Sequence, residues 1–120
     1  MFVAVVGSRN LFPNDDLIFW SLPNDTTGIV SGGAAGVDSC AARFAVNFGF
    51  PLKEFKPDYN KFGRKAPLVR NELIIKAVNY VVAFWNGKSS GTGHSVYLAR
   101  KAGLPVKVVK LNNNNQLILI

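Results

Sequence analysis

The chain has 120 residues, which is room for one hydrophobic core and not for two separately folded modules. Its 14 Lys and Arg against 7 Asp and Glu give a formal net charge of +7, which predicts an anionic partner unless the charge is simply a solvated basic face. With 1 Cys and 1 His, a disulfide framework is excluded and a zinc cage has too few ligands, so neither a metal nor a cofactor is expected.

In chain order, residues 2–6, FVAVV, form a continuous apolar run closed by Gly7, the pattern of a strand buried on both faces of a parallel sheet. The start lacks a basic leader, and no apolar run approaches the roughly 18 residues of a membrane span, so a cytoplasmic chain without a membrane partner is expected. After that strand comes Gly7-Ser8-Arg9, then a short helical pattern near residues 15–21.

A second apolar run, residues 27–30, leads into Ser31-Gly32-Gly33-Ala34-Ala35-Gly36-Val37-Asp38. Glycine removes the Cβ, so backbone N–H groups can face a phosphate, and the following helix adds unpaired N–H groups and its positive dipole end. The same glycines would also serve a tight turn and close helix packing. Val37, Cys40, Ala41, Phe44, Ala45 and Phe48 recur at three- and four-residue steps and predict a helix with Cys40 in the core. Asp38 falls in its first turn, where a carboxylate either caps the helix or accepts hydrogen bonds from ribose hydroxyls.

A third strand is predicted at residues 51–55, followed by a basic stretch. Lys53, Lys56, Lys61, Arg64, Lys65, Arg70 and Lys76 are half of all the basic residues. Tyr59, within this stretch, is a candidate for stacking on a base or for packing. Pro67 opens a third helical pattern with Val69, Leu73 and Ala77 along one face. Arg70 carries a guanidinium fork suited to phosphate, or to a surface ion pair with Glu72, and Asn71 stands beside it.

The fourth strand, residues 80–85, ends at Trp85, a second stacking candidate, and Asn86-Gly87-Lys88-Ser89-Ser90-Gly91-Thr92-Gly93-His94 follows. A helix from about residue 93 to 102 and a strand at residues 105–109 complete the domain, residues 1–110. Residues 111–120, LNNNNQLILI, are an Asn-rich tail with an apolar end. That tail suggests an added edge strand, a subunit contact in a homo-oligomer, or a strand returning to its own sheet.

Alternating strands and helices imply an α/β, doubly wound, mostly parallel sheet of five or more strands with helices on both faces. Such a sheet binds ligands at the carboxyl ends of its strands, where the three small-residue loops lie. Gly7, Ser8, Arg9, Ser31, Gly32, Gly33, Ser89, Ser90, Gly91, Thr92 and His94 thus join Asp38, Tyr59, Arg70, Asn71 and Trp85 as ligand-binding candidates. Neither the dinucleotide Gly-x-Gly-x-x-Gly pattern nor a phosphate-binding P-loop fits, since Val82 stands where the latter needs its first glycine.

With these loops, FKPDYNKFGRKAPLVRN and VVAFWNGKSSGTGHSVYLA in place, the chain resembles the SLOG superfamily, closest to its small single-domain YspA-like branch. The resemblance runs to about Val109. It implies a Rossmann-like domain that binds nucleotides or nucleotide-derived signals; with no effector module expected beside that domain, sequestration of a signal nucleotide such as one derived from ADP-ribose is the expected mode of action. Relatives include the Lonely-guy enzymes, which cleave a base from a nucleoside monophosphate, and DNA-processing proteins that bind single strands. Carried over, Ser31, Gly32, Gly33 and Asp38 line the site, Arg70 is the ligand-binding arginine, and Gly91 and Thr92 hold the phosphate.

The Lonely-guy motif Pro-Gly-Gly-x-Gly-Thr-x-x-Glu is altered here, with Lys88 and Ser89 in place of its paired glycines and Ser95 at its glutamate. Serine supplies no carboxylate to an oxocarbenium-like transition state. A binder of a nucleotide-derived small molecule is therefore expected first. A nucleoside 5'-monophosphate phosphoribohydrolase using Glu72 or Asp38 instead comes second, and a single-stranded nucleic-acid module third.

Overall fold

Five strands form one all-parallel sheet in the order β3-β2-β1-β4-β5. The computed structural model describes residues 1–118, so Leu119 and Ile120 of the apolar tail lie outside the described residues. Along the chain the elements are β1 (Phe2–Gly7), α1 (Asp15–Ser21), β2 (Gly28–Ser31), α2 (Val37–Phe48), β3 (Leu52–Glu54), α3 (Tyr59–Phe62), α4 (Ala66–Lys76), β4 (Tyr80–Trp85), α5 (Ser90–Lys101) and β5 (Val106–Lys110). This is the doubly wound α/β architecture that the alternation of apolar runs and helical patterns predicts.

The side-chain alternation of β1 divides the core into two layers. Val3 and Val5 face α1 and α2, joining Ile18, Val37 and Phe44, while Ala4 and Val6 face α4 and α5, joining Ile74, Ile75 and Val96. Phe44, Phe84, Ile29, Val3, Val5, Val81 and Val82 are fully buried, each removal from water worth roughly 1.5–3 kcal/mol. Because β1 and β4 sit side by side in mid-sheet, their carboxyl ends at Gly7 and Phe84 meet at the point where the winding reverses.

Several elements differ from the sequence expectation. β3 is a short edge strand with Lys53 and Glu54 exposed, because it borders only β2. α5 begins at Ser90 and not near residue 93: Gly91 and Gly93 are poor helix formers, yet the buried Thr92 and Ser95 pack its first turns against the sheet. α4 buries Asn71, Ile74 and Ile75, while Leu73, expected on its inner face, is 45% exposed. A single turn, α3, is an addition, capped by the Asp58 side chain, which accepts from the Lys61 N–H at 3.1 Å.

The described part of the tail folds back on its own chain. Leu111 and Leu117 form an antiparallel bridge, the Ile118 N–H donates to the Lys110 carbonyl at 2.8 Å, and Asn115 Oδ1 accepts from the Phe12 N–H at 2.7 Å. No helix among the described residues is long and apolar enough to cross a membrane.

Candidate functional site

The small-residue loops and two helix starts enclose a cavity of about 360 Å³ at the carboxyl end of β1. That is within the roughly 300–1,000 Å³ of small-molecule sites. Gly7 and Arg9 come from the loop after β1, Gly32 and Ala34 from the loop after β2, and Asp38 from the first turn of α2. Arg70 and Asn71 enter from α4; Ser89, Ser90, Gly91 and Thr92 close the far side.

The start of α5 is an uncapped helix N-terminus, a candidate anion seat. Ser89 precedes the helix and no side chain caps it, so the first-turn N–H groups keep no intrahelical partner. Asn86 instead shapes the approach, its Oδ1 accepting from the N–H groups of Lys88 at 2.8 Å and Ser89 at 2.9 Å. Thr92 is buried and donates to the Ser89 hydroxyl at 3.2 Å. A phosphate placed here would meet unpaired N–H groups and the positive end of a 12-residue helix.

On the opposite wall, Asp38 and Arg70 face each other across Gly32. A Cβ built on Gly32 would lie 2.5 Å from Arg70 Nη1 and 2.8 Å from Asp38 Oδ2, so a side chain here would displace the ends of both. The Arg70 Nη1–H donates to the Gly32 carbonyl at 2.6 Å, and Asp38 Oδ2 accepts from the Ala34 N–H at 3.1 Å. Burial pushes the Asp38 carboxyl above its ordinary value, while the Ala34 hydrogen bond and then the Arg70 charge pull it back. Burial lowers the Arg70 guanidinium from its ordinary value, with Asp38 opposing that loss and the Arg9 charge adding to it.

Other predicted residues are near the cavity without lining it. Ser31 is buried, its hydroxyl donating to the Asp38 carbonyl at 3.2 Å. Ser8 is 2% exposed, and its Oγ has no hydrogen-bond partner among the described residues. Gly33 lies under the Lys56 stem, and Tyr59 is exposed on α3. Trp85 supports the loop after β4, its indole N–H donating to the Ser89 carbonyl at 3.0 Å and its ring lying against Gly93. His94 meets Asn71 at 3.2 Å.

Glu72 is exposed on α4 and does not line the cavity, and no ion pair joins it to Arg70 among the described residues. Asp38 is thus the one carboxylate lining the cavity among the described residues. The sequence reading missed Val6, Pro67, Leu68 and Ile74, an apolar wall suited to the face of a base or sugar. Pro67, Arg70 or Asn71, and Ile74 follow the three- and four-residue helical step, so that spacing was the signal for half of this wall. Ser95 also lines the cavity, its Oγ 3.4 Å from the Gly91 carbonyl.

No family model matches the chain, and no solved structure does. The chain is 36% identical over 84 residues to the Gene 61 protein of Mycobacterium phage D29, covering 65% of this chain and 67% of the relative. The chain belongs to the Gene 61 protein family. A match over 65% of the chain includes its middle wherever it begins, so α4 with Arg70 and Asn71 lies within the part shared with the family. The name Gene 61 protein states no chemistry.

Proposed function

We propose that the chain binds a small, phosphate-bearing, nucleotide-derived molecule in this cavity and holds it without altering it. The observation that carries this reading is the facing of two complementary halves across one 360 Å³ space. The uncapped start of α5, with Arg9 and Arg70, would take a phosphate; buried Asp38 would accept hydrogen bonds from ribose hydroxyls; Val6, Leu68 and Ile74 would lie along a base or sugar face. Membership of the SLOG superfamily belongs to the same proposal, supported by the order of the small-residue loops and by Arg70. Sequestration of an ADP-ribose-like signal in the cytoplasm is part of the same proposal.

Binding rather than hydrolysis is favoured by the state of the carboxylates. Ser95 stands in the cavity where the related enzymes carry glutamate, Glu72 is turned out, and Asp38 is buried with one oxygen engaged by Ala34. A general base needs a free, ionised group within reach of its proton.

The test is equilibrium binding of purified protein to ribose 5-phosphate, nucleoside mono- and diphosphates, ADP-ribose and a single-stranded oligonucleotide series, with mass spectrometry of the free fraction over time. Saturable one-to-one binding of a mononucleotide-sized ligand, recovered intact, is expected. Free base accumulating with time would make the chain a hydrolase. Affinity that grows with strand length and collapses with salt would make it a polymer binder.

A further inference from the structure

Three side chains on α4 and α5 form a hydrogen-bonded chain with a fixed direction. The Arg70 Nε–H donates to Asn71 Oδ1 at 2.9 Å, and Asn71 Nδ2 lies 3.2 Å from His94 Nδ1. A guanidinium only donates, so the Asn71 atom facing it must be the carbonyl oxygen. The amide nitrogen, which also only donates, is thereby turned to His94. His94 Nδ1 must therefore accept, and the proton of the neutral ring sits on Nε2.

Asn71 is 6% exposed, so a reversed amide would leave a donor against a donor with little water to relieve it. The other end of Arg70 is held by the Gly32 carbonyl, 38 residues away in sequence. The guanidinium plane is thus fixed at two points, one on the loop after β2 and one through Asn71.

We propose that Asn71 and His94 are positioning residues that aim Arg70 into the anion seat, and that protonation of His94 releases it. This inference rests on the reading that the cavity takes a phosphate-bearing ligand. A protonated ring carries N–H groups at both nitrogens and has nothing to accept the Asn71 donor. If Asn71 reverses, the Arg70 Nε–H loses its acceptor; if Asn71 parts from His94, the amide keeps its bond to Arg70 but loses the anchor that fixes its own plane, and the guanidinium is held less firmly.

The sign separates this role from that of a bystander. A nearby cation that merely gains charge strengthens anion binding on acidification, whereas this arrangement weakens it. α5 packs on α4, β4, β1 and β5. The ionisable side chains on those elements are Arg70, Glu72 and Lys76 of α4, Tyr80 of β4, and Lys107 and Lys110 of β5, with none on β1. α5 itself adds Tyr97, Arg100 and Lys101, so Glu72 is the one acid among them.

The experiment uses the full chain and inorganic sulfate, whose charge is constant over the interval of about pH 8 to about pH 5 in which histidine rings ordinarily gain a proton. Ring nitrogen shifts of His94 are read by NMR in the same samples. The neutral ring should carry its proton on Nε2, and sulfate affinity should fall at least about threefold more steeply on acidification in the wild type than in His94→Gln. Asn71→Asp, which accepts from both neighbours, should also remove the excess fall. A proton on Nδ1, or identical pH profiles in wild type and His94→Gln, would overturn the proposal. If neither sulfate nor ribose 5-phosphate binds at any pH, the functional reading fails, while the tautomer still decides the direction of the chain.

Discussion

Gly36→Ala should destabilise the protein by about 3 kcal/mol or more and take the cavity with it, combining left-handed strain of ~1–3 kcal/mol with overpacking of ~1–3 kcal/mol. Gly36 has φ +72°, and a Cβ there would press on the carbonyl groups of Arg9 and Ser8. These are backbone atoms and cannot rotate away. They also form the clasp between β1 and α2, in which the Ser8 carbonyl accepts from the N–H groups of Val37 at 3.2 Å and Leu11 at 3.4 Å. Forcing that clasp apart moves Arg9 away from the cavity it lines.

Gly49→Ala is a control for positive φ without contact, although its ψ of 23° lies in the left-handed helical region and that of Gly36, −126°, does not. Gly49 has φ +74° at the end of α2, but nothing lies within 4 Å of a Cβ there. It carries the strain alone, about 1 kcal/mol. Urea unfolding midpoints should fall further for Gly36→Ala than for Gly49→Ala, and the difference is readable because a small domain has only ~5–15 kcal/mol in total. Equal shifts would show that the contact at Gly36 is unimportant and that conformation alone decides.

Arg70→Met should weaken binding of ribose 5-phosphate or a nucleoside monophosphate by about 10- to 100-fold, the loss of one charge-assisted contact worth ~1.5–3 kcal/mol. Arg70→Lys should not restore it. The arginine binds the Gly32 carbonyl through Nη1 and Asn71 through Nε, leaving the rest of its fork for a ligand. An ammonium is one point of charge and cannot reproduce that planar division of labour. Calorimetric titration of folded variants, with circular dichroism confirming the fold, gives the answer. Unchanged affinity in Arg70→Met would remove Arg70 from the site.

The sheet was legible because β1 and β4 are buried on both faces and read as unbroken apolar runs. β3 was overextended because its neighbours on one side are solvent, which the local residues do not announce. The start of α5 was hidden by its glycines: intrinsic preference argues against a helix there, and packing of Thr92 and Ser95 overrules it. α4 misled for a related reason, since buried polar Asn71 interrupts the apolar face that includes Ile74 and Ile75.

The loops of the site could be located because close backbone approach demands small residues, and Gly7 and Gly36 do face backbone atoms that leave no room for a Cβ, while Gly32 lies against the ends of the Arg70 and Asp38 side chains. Side-chain direction was not legible in the same way. Trp85 and Tyr59 have surfaces that suit a base, yet Trp85 is committed to the Ser89 carbonyl and Tyr59 stands on an exposed turn. His94 lies in α5, and its ring meets Asn71 because α5 packs on α4.

The most direct test of a phosphate-binding cavity is an amide chemical-shift map of labelled protein titrated with ribose 5-phosphate. The largest saturable changes should fall at the N–H groups of Ser90, Gly91 and Thr92, with a second group at Gly32 and Ala34, and in Arg70→Met all should need about 10- to 100-fold more ligand. Saturable changes confined to the exposed basic residues from Lys53 to Lys65, with the start of α5 silent, would contradict it.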